Sequence, residues 1–179
     1  MNRLALSMAT PAICLALLAA PVVASAKKDP AKITCEEFAA ATPEAQSRIT
    51  AYLDGKSKSG KKVEDVGEVD VDRELDVLVV SCVQSPKVTF WDKVKAHLPG
   101  GKKKVKPVAM TCEEFLALDS SVQPEVAYWL QGYNSKTKTD VNAAGEIDLE
   151  TDTAVLVEAC KPTPKASLWD RIKTKMEKM

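Results

Sequence analysis

Four cysteines are the residues of this chain whose type and spacing could do chemistry. Cys35 and Cys82 are followed by Cys112 and Cys160, and each pair lies in the same frame of neighbouring residues. Such thiols form disulfides in an oxidising compartment or act as zinc ligands. A zinc site would need all four cysteines from both halves of the chain, since there is no Cys-x-x-Cys pair and His97 is the only histidine. A disulfide within each copy of the frame is therefore the favoured chemistry.

The surroundings of the cysteines repeat after roughly 77 residues, which is too long for a solenoid repeat and suits a whole small domain. Residues 34–38 read Thr-Cys-Glu-Glu-Phe and recur at 111–115, and the Trp-Asp pair at 91–92 recurs at 169–170. The chain is therefore expected to contain a signal peptide (1–26), module 1 (27–98), a lysine-rich linker (99–107) and module 2 (108–179).

The first 26 residues are typical of a removable export signal. Arg3 supplies the positive charge, 13–23 is a short apolar run, and Ala-Ser-Ala at 24–26 fits a cleavage site. The apolar run is too short and too interrupted by proline to be a stable membrane span, and Cys14 lies inside it, which argues against lipid attachment. We expect the mature chain to begin near Lys27, in an oxidising compartment and with no transmembrane segment.

Charge and motifs exclude several classes of function. Without Arg3 the basic residues number one fewer than the 25 acidic ones, so the mature chain is nearly neutral and unsuited to nucleic acid. No glycine-rich phosphate loop and no nucleophile elbow occurs, and His97 is a lone histidine near the end of a predicted helix. We therefore expect no enzyme activity, no cofactor and no metal site.

Four helical segments are predicted in each module. Thr34 with Glu37, and Thr111 with Glu114, form Thr-x-x-Glu capping boxes that begin the first helix. The run 77–80 alone would favour a strand, but its counterpart in module 2 contains better helix formers. The predicted fold is thus all-α, with two tandem small helical modules stapled by disulfides. The linker composition predicts a solvated segment, and its lysines leave open a patch for anionic lipid headgroups.

A further pattern runs through module 2. It comprises Thr-Cys-Glu-Glu-Phe-Leu at 111–116, Val-Gln-Pro at 122–124, Asn-Ser-Lys at 134–136, Ala-Cys at 159–160 and Ala-Ser-Leu-Trp-Asp-Arg-Ile-Lys at 166–173. In order and spacing these residues resemble the HdeA family of periplasmic acid-stress chaperones. The resemblance covers most of module 2 and extends to module 1 through the repeat.

The resemblance implies one internal disulfide in each module, which corresponds to Cys112–Cys160 and, through the repeat, to Cys35–Cys82. It also implies an ATP-independent periplasmic chaperone that is idle at neutral pH, loosens in acid and holds unfolding client proteins. HdeA-like proteins are single modules that dimerise when inactive, whereas two modules share this chain. A linker of about nine residues spans at most about 30 Å, which is enough for an intramolecular pseudo-dimer.

Carboxylates at helix starts are stabilised by capping and by the helix dipole, so that acid removes their contribution to stability. The predicted pH-sensing residues are Glu36, Glu37, Glu113 and Glu114. The predicted client-binding residues are apolar: Phe38, Leu75, Val79, Trp91, Phe115, Trp129, Leu130, Leu156 and Trp169. The alternative function is a constitutive exported protein-binding module, either an envelope-associated adaptor or an inhibitor, which would bind its partner at neutral pH.

Overall fold

The computed structural model describes three stretches of the chain, 30–95, 98–135 and 151–176. The predicted signal peptide with its cleavage site and Cys14, His97, and residues 136–150 lie outside the described residues. Helices dominate the described part, and one small sheet accompanies them.

Within the described residues the α-helices follow the predicted order, four on each side of the segment 99–107. In chain order the helices are α1 (Cys35–Ala40), α2 (Pro43–Ser57), α3 (Asp76–Val83), α4 (Phe90–Val94), α5 (Cys112–Leu116), α6 (Val122–Asn134), α7 (Thr151–Cys160) and α8 (Leu168–Met176). The strands are β1 (Val69–Arg73) and β2 (Gly101–Val105). The expectation of a strictly all-α fold is therefore wrong in one respect, because a two-stranded sheet is present.

The sheet lies where a solvated linker was expected. β2 occupies the middle of the linker and pairs antiparallel with β1, from Val69 opposite Val105 to Arg73 opposite Gly101. The side chains of 102–104 are exposed, as their composition predicts, but their backbone is paired. Sequence reasoning missed β2 because consecutive lysines show no apolar alternation, and the partner strand supplies its order. The alternating valines of β1, Val69 and Val71, are both buried and were the available signal.

Each module is closed by the same covalent and backbone contacts. The structure contains the disulfides Cys35–Cys82, which joins α1 to α3, and Cys112–Cys160, which joins α5 to α7. The amide of Cys35 donates to the carbonyl of Val88 at 2.8 Å, and the amide of Cys112 donates to that of Ala166 at 2.9 Å. The first helix of each module is thereby held to the segment that begins the last helix.

A glutamine that the sequence analysis did not select performs the same task in both modules. The side-chain amide of Gln46 donates to the carbonyls of Phe38 and Ala41, at 3.0 and 3.1 Å. In module 2 the side-chain amide of Gln123 donates to the equivalent carbonyls, those of Phe115 and Leu118 among them. These bonds tie the carbonyl end of the first helix to the second helix of each module. The signal was available, because a glutamine stands at the same place in each repeat.

Candidate functional site

The residues predicted to bind clients lie inside the folded chain. Phe38, Phe115, Trp129 and Leu130 are fully buried, and Leu156 is nearly so. The other predicted residues are half-buried against this core: Leu75, Val79, Trp91 and Trp169. Five of the nine are thus enclosed in the folded chain, and the other four are partly accessible at its surface.

The two modules meet where α2 of module 1 crosses α6 of module 2, a contact we call the α2–α6 crossing. Gly55 lies against the backbone of Trp129, and a Cβ at this position would come 2.0 Å from the Trp129 carbonyl oxygen. Gly132 lies in the same way against Tyr52, where a Cβ would come 2.0 Å from the Tyr52 carbonyl oxygen. Both glycines are therefore required by close approach of the two backbones. The crossing has an approximate two-fold relation, since Gly55 and Tyr52 occupy the repeat positions of Gly132 and Trp129.

A buried carboxylate, which the sequence analysis did not select, spans this crossing. Asp54 on α2 is 4% exposed. Its Oδ1 accepts from Lys58 Nζ at 2.9 Å, and its Oδ2 accepts from Arg73 at 3.0 Å. The same Oδ2 accepts from the indole Nε1 of Trp129 in module 2, also at 3.0 Å. One carboxylate thus bonds to two cations of module 1 and anchors a fully buried tryptophan of module 2.

A second buried carboxylate, Glu125 on α6, reaches back from module 2 to module 1. The backbone amide of Asp72 in β1 donates to Glu125 Oε2 at 2.8 Å. Asp72 has a φ of 55°, in the left-handed region that non-glycine residues seldom adopt. This strained backbone turns the amide out of the sheet and towards Glu125. Neither carboxylate carried a sequence signal, because an Asp or Glu on an amphipathic helix usually faces water.

The predicted pH-sensing carboxylates divide into two kinds. Glu37 and Glu114 close the predicted capping boxes, each accepting the backbone amide of its threonine at 2.8 Å. These hydrogen bonds from the Thr111 backbone and hydroxyl hold the pKa of Glu114 below its usual range. Glu36 and Glu113 stand in the same first turns and are exposed. The structure therefore joins only half of this predicted set to a cap.

Three further carboxylates at helix starts have lowered pKa values. A backbone hydrogen bond lowers the pKa of Glu44, and hydrogen bonds from Lys95 and Lys173 lower those of Asp92 and Asp170. All are at the surface, so solvent screening keeps their contributions to stability small. Each follows a threonine or serine by two or three residues, a capping signal that the sequence analysis did not use.

Module 1 has an exposed apolar stripe on α3 that was not among the predicted client-binding residues. Val77, Val80 and Val83 on α3 are 73%, 60% and 66% exposed. The equivalent positions of the last two on α7 hold Glu158 and Lys161, which form an ion pair. The two modules thus differ on the outer face of the helix that carries the second cysteine, α3 or α7.

No helix of the described residues is long and apolar enough to cross a membrane.

Comparison with known proteins agrees with this arrangement of two disulfide-stapled helical modules. A family model described as the HdeA/HdeB family matches residues 4–92 and again 94–170. The chain belongs to the HdeA/HdeB family, and the resemblance read from its residues is confirmed.

Individual relatives match about half of the chain. A Brucella ovis protein named "Probable acid stress chaperone HdeA" is 40% identical over 89 residues, which are 49% of this chain and 76% of the relative. The Escherichia coli K12 "Acid stress chaperone HdeA" is 33% identical over 75 residues, 41% of this chain and 68% of the relative. No significant match to a solved structure was found.

Proposed function

We propose that this chain is an ATP-independent, acid-activated chaperone of the periplasm, which holds unfolding client proteins through apolar helix faces. Its family and the names of its relatives support a role in acid stress. The observation that carries the proposal is the burial of five predicted client-binding residues in the folded chain, one of which, Trp129, is held by the buried Asp54 carboxylate.

The α2–α6 crossing depends on the charge of this carboxylate. Without that charge, Arg73 and Lys58 would lose the anion that they share. The Arg73 side chain is 6% exposed and its guanidinium stays protonated. A buried cation without a partner is strongly unfavourable. Opening the crossing would hydrate it, and would expose Trp129 and the apolar residues beside it.

The carboxylates at the helix caps also lose their contribution to stability in acid, but this loss is smaller. The folded-state pKa of Glu114 is lowered, so its stabilisation is present above the unfolded pKa and is lost as the pH falls through the folded one. The same sign applies to Glu44, Asp92 and Asp170. In this proposal the caps weaken single helices, while Asp54 controls the contact between modules.

The disulfides limit how far a loosened module can spread. Cys35–Cys82 keeps α1 beside α3, and Cys112–Cys160 keeps α5 beside α7. Apolar residues of both helices would therefore stay close enough to act as one surface for a client. Lysines and arginines retain their charge in acid and would keep the complex soluble.

At neutral pH we propose that the two modules pack on each other as an intramolecular pseudo-dimer. The reciprocal contacts of Gly55 and Gly132 support this packing. The chain should therefore be a monomer at neutral pH, as measured by light scattering after size-exclusion chromatography. A stable dimer of full-length chains would contradict the proposal.

The decisive experiment measures the aggregation of a purified acid-labile enzyme, by light scattering, at about pH 2 and about pH 7. We expect protection only in acid, and less protection after the disulfides are reduced. The variant Asp54→Asn keeps the side-chain size but not the charge, so it should protect at a higher pH than the native chain. The matched control is Asp76→Asn on the exposed start of α3, which should leave the active pH range unchanged. Lack of protection in acid would refute the proposal.

One observation favours the second candidate function, a constitutive protein-binding module. The stripe of Val77, Val80 and Val83 is exposed in the folded chain and needs no acid to become accessible. This candidate expects equal protection at about pH 7 and about pH 2. It also expects the double variant Val80→Glu/Val83→Lys, which copies the module 2 residues, to remove protection at neutral pH.

A further inference from the structure

Equivalent positions of the two modules do different work at the α2–α6 crossing. The equivalence is established by Gln46 and Gln123, which bind equivalent carbonyls, and by Gly55 and Gly132, which make reciprocal contacts. On this alignment Arg48 of α2 corresponds to Glu125 of α6. Where the residues at equivalent positions differ, they indicate which pair of modules can form the α2–α6 crossing.

Consider first the position of Asp54. Its Oδ2 accepts the indole N–H of Trp129, and the residue of module 1 equivalent to Trp129 is Tyr52. A pair of two module 1 copies would set each Asp54 against the Tyr52 phenol, whose donor is a hydroxyl at the end of the ring and not a ring N–H. A pair of two module 2 copies would set each indole against Gln131, a neutral amide. Only the unlike pair matches a carboxylate with the indole N–H.

The position of Glu125 also favours the unlike pair, because a pair of two module 1 copies would have a donor there in place of an acceptor. Glu125 accepts the amide of the strained Asp72 in β1. In a pair of two module 1 copies, Arg48 would take this place, and a guanidinium has donors and no acceptor. Each Asp72 amide would then face a donor in place of the carboxylate acceptor that it has in the folded chain.

The sheet also belongs to this contact. β2 immediately precedes module 2 and pairs with β1 of module 1. Binding of a module 2 by the α2 and β1 surface therefore includes the backbone hydrogen bonds of this sheet.

We propose that the α2–α6 crossing selects unlike partners: the α2 and β1 surface of module 1 fits α6 and β2 of a module 2, and rejects a second module 1. Glu125 and Asp54 are the residues that set this selectivity. The inference rests on the proposed packing of the modules within one chain, but it does not depend on chaperone activity.

The test begins with the intact chain, into which a protease site is inserted between Gly100 and Gly101. A Cβ at Gly100 would meet no atom within 4 Å, and cleavage there leaves β2 attached to module 2. The cut protein, with its disulfides intact, is unfolded in urea, refolded by dilution at neutral pH and weighed by native mass spectrometry. The halves differ in mass, so unlike and like pairs are resolved.

We expect unlike pairs to exceed the random proportion at least about tenfold, relative to like pairs. Association in random proportion would overturn the selectivity alone. Halves that do not associate would also overturn the proposed packing within one chain.

In the cut protein, Glu125→Arg should lower the ratio of unlike to like pairs about tenfold. The control Glu113→Arg makes the same charge change on the exposed start of α5 and should leave the ratio unchanged. Glu125→Gln retains an acceptor for the Asp72 amide and should keep most of the selectivity. An unchanged ratio in Glu125→Arg would overturn the role of Glu125.

Discussion

Module 1 and module 2 agree in how each is closed and differ in what each presents to its surroundings. Both have a capping box around the first cysteine, a disulfide across nearly the same separation of 47 and 48 residues, and a glutamine on the second helix that bonds to the end of the first. They differ at Asp54 and Gln131, at Arg48 and Glu125, and on the outer face of the helix that carries the second cysteine.

The difference shows which contacts belong to the module and which belong to the pair. A contact within one module can be used in both copies, because each copy folds around its own core. A contact across the α2–α6 crossing needs two complementary groups, such as the Asp54 carboxylate and the Trp129 indole. When both modules are encoded in one chain, the two sides can differ, which an association of identical modules does not permit.

The largest expected effect tests the likeness of the modules. Replacing Cys35 and Cys82 by serine, or Cys112 and Cys160 by serine, should lower the free energy of unfolding by about 4 kcal/mol in either case. The two values should agree because the closed loops have almost the same length. Urea unfolding followed by circular dichroism measures both, with the native chain, its two disulfides intact, as the reference. A large inequality would show that one module depends on its disulfide more than the other.

The next largest effect tests the difference between the modules at Asp54 and Gln131. Asp54→Ala should lower the free energy of unfolding by about 3 kcal/mol, because it leaves the buried Arg73 guanidinium without its anion. Gln131→Ala at the equivalent position of α6 removes no charge and should cost less than about 1 kcal/mol. Thermal or urea unfolding at neutral pH compares the two variants. Equal effects would mean that Asp54 does not distinguish module 1.

A smaller and symmetrical effect is expected at the glycines. Gly55→Ala and Gly132→Ala should each destabilise the chain by about 2 kcal/mol, since the new methyl group would overlap a backbone carbonyl of the other module. Gly67→Ala is the control, because a Cβ there would meet no atom within 4 Å. Unfolding curves measure this loss of stability, and crystal structures of the variants measure the separation of the two helices. A neutral result at either glycine would contradict the close approach.

The smallest effect concerns the caps. Glu114→Gln should reduce stability by a few tenths of a kcal/mol at neutral pH and have no effect in strong acid, where Glu114 is protonated in both folded and unfolded chains. Glu113→Gln, one residue earlier and outside the capping box, is the control. The measurement is the free energy of unfolding as a function of pH. An equal pH dependence in both variants would assign the effect to helix-start charge alone.

Local features could be predicted from the sequence because their causes are local. The capping boxes follow from Thr34 and Glu37 and from Thr111 and Glu114, which interact over three residues. The helix at 76–83 could be inferred by comparing two copies of one pattern, although valines alone favour a strand. The duplication and the family likewise followed from residues in fixed order along the chain.

The tertiary structure decided what depends on distant partners. Lysines 102–104 belong to a strand only because β1 lies beside them, and Asp54 is buried only because α6 covers α2. Nothing in the residues next to Asp54 distinguishes it from a solvated helix carboxylate, since its environment is created by Arg73 and by a tryptophan in the other module. The sequence by itself therefore determined how each module is built and stapled. The contact between the modules was decided by the folded chain, because hydrogen bonds and charge pairs across the crossing depend on distances that arise only when the two helices meet.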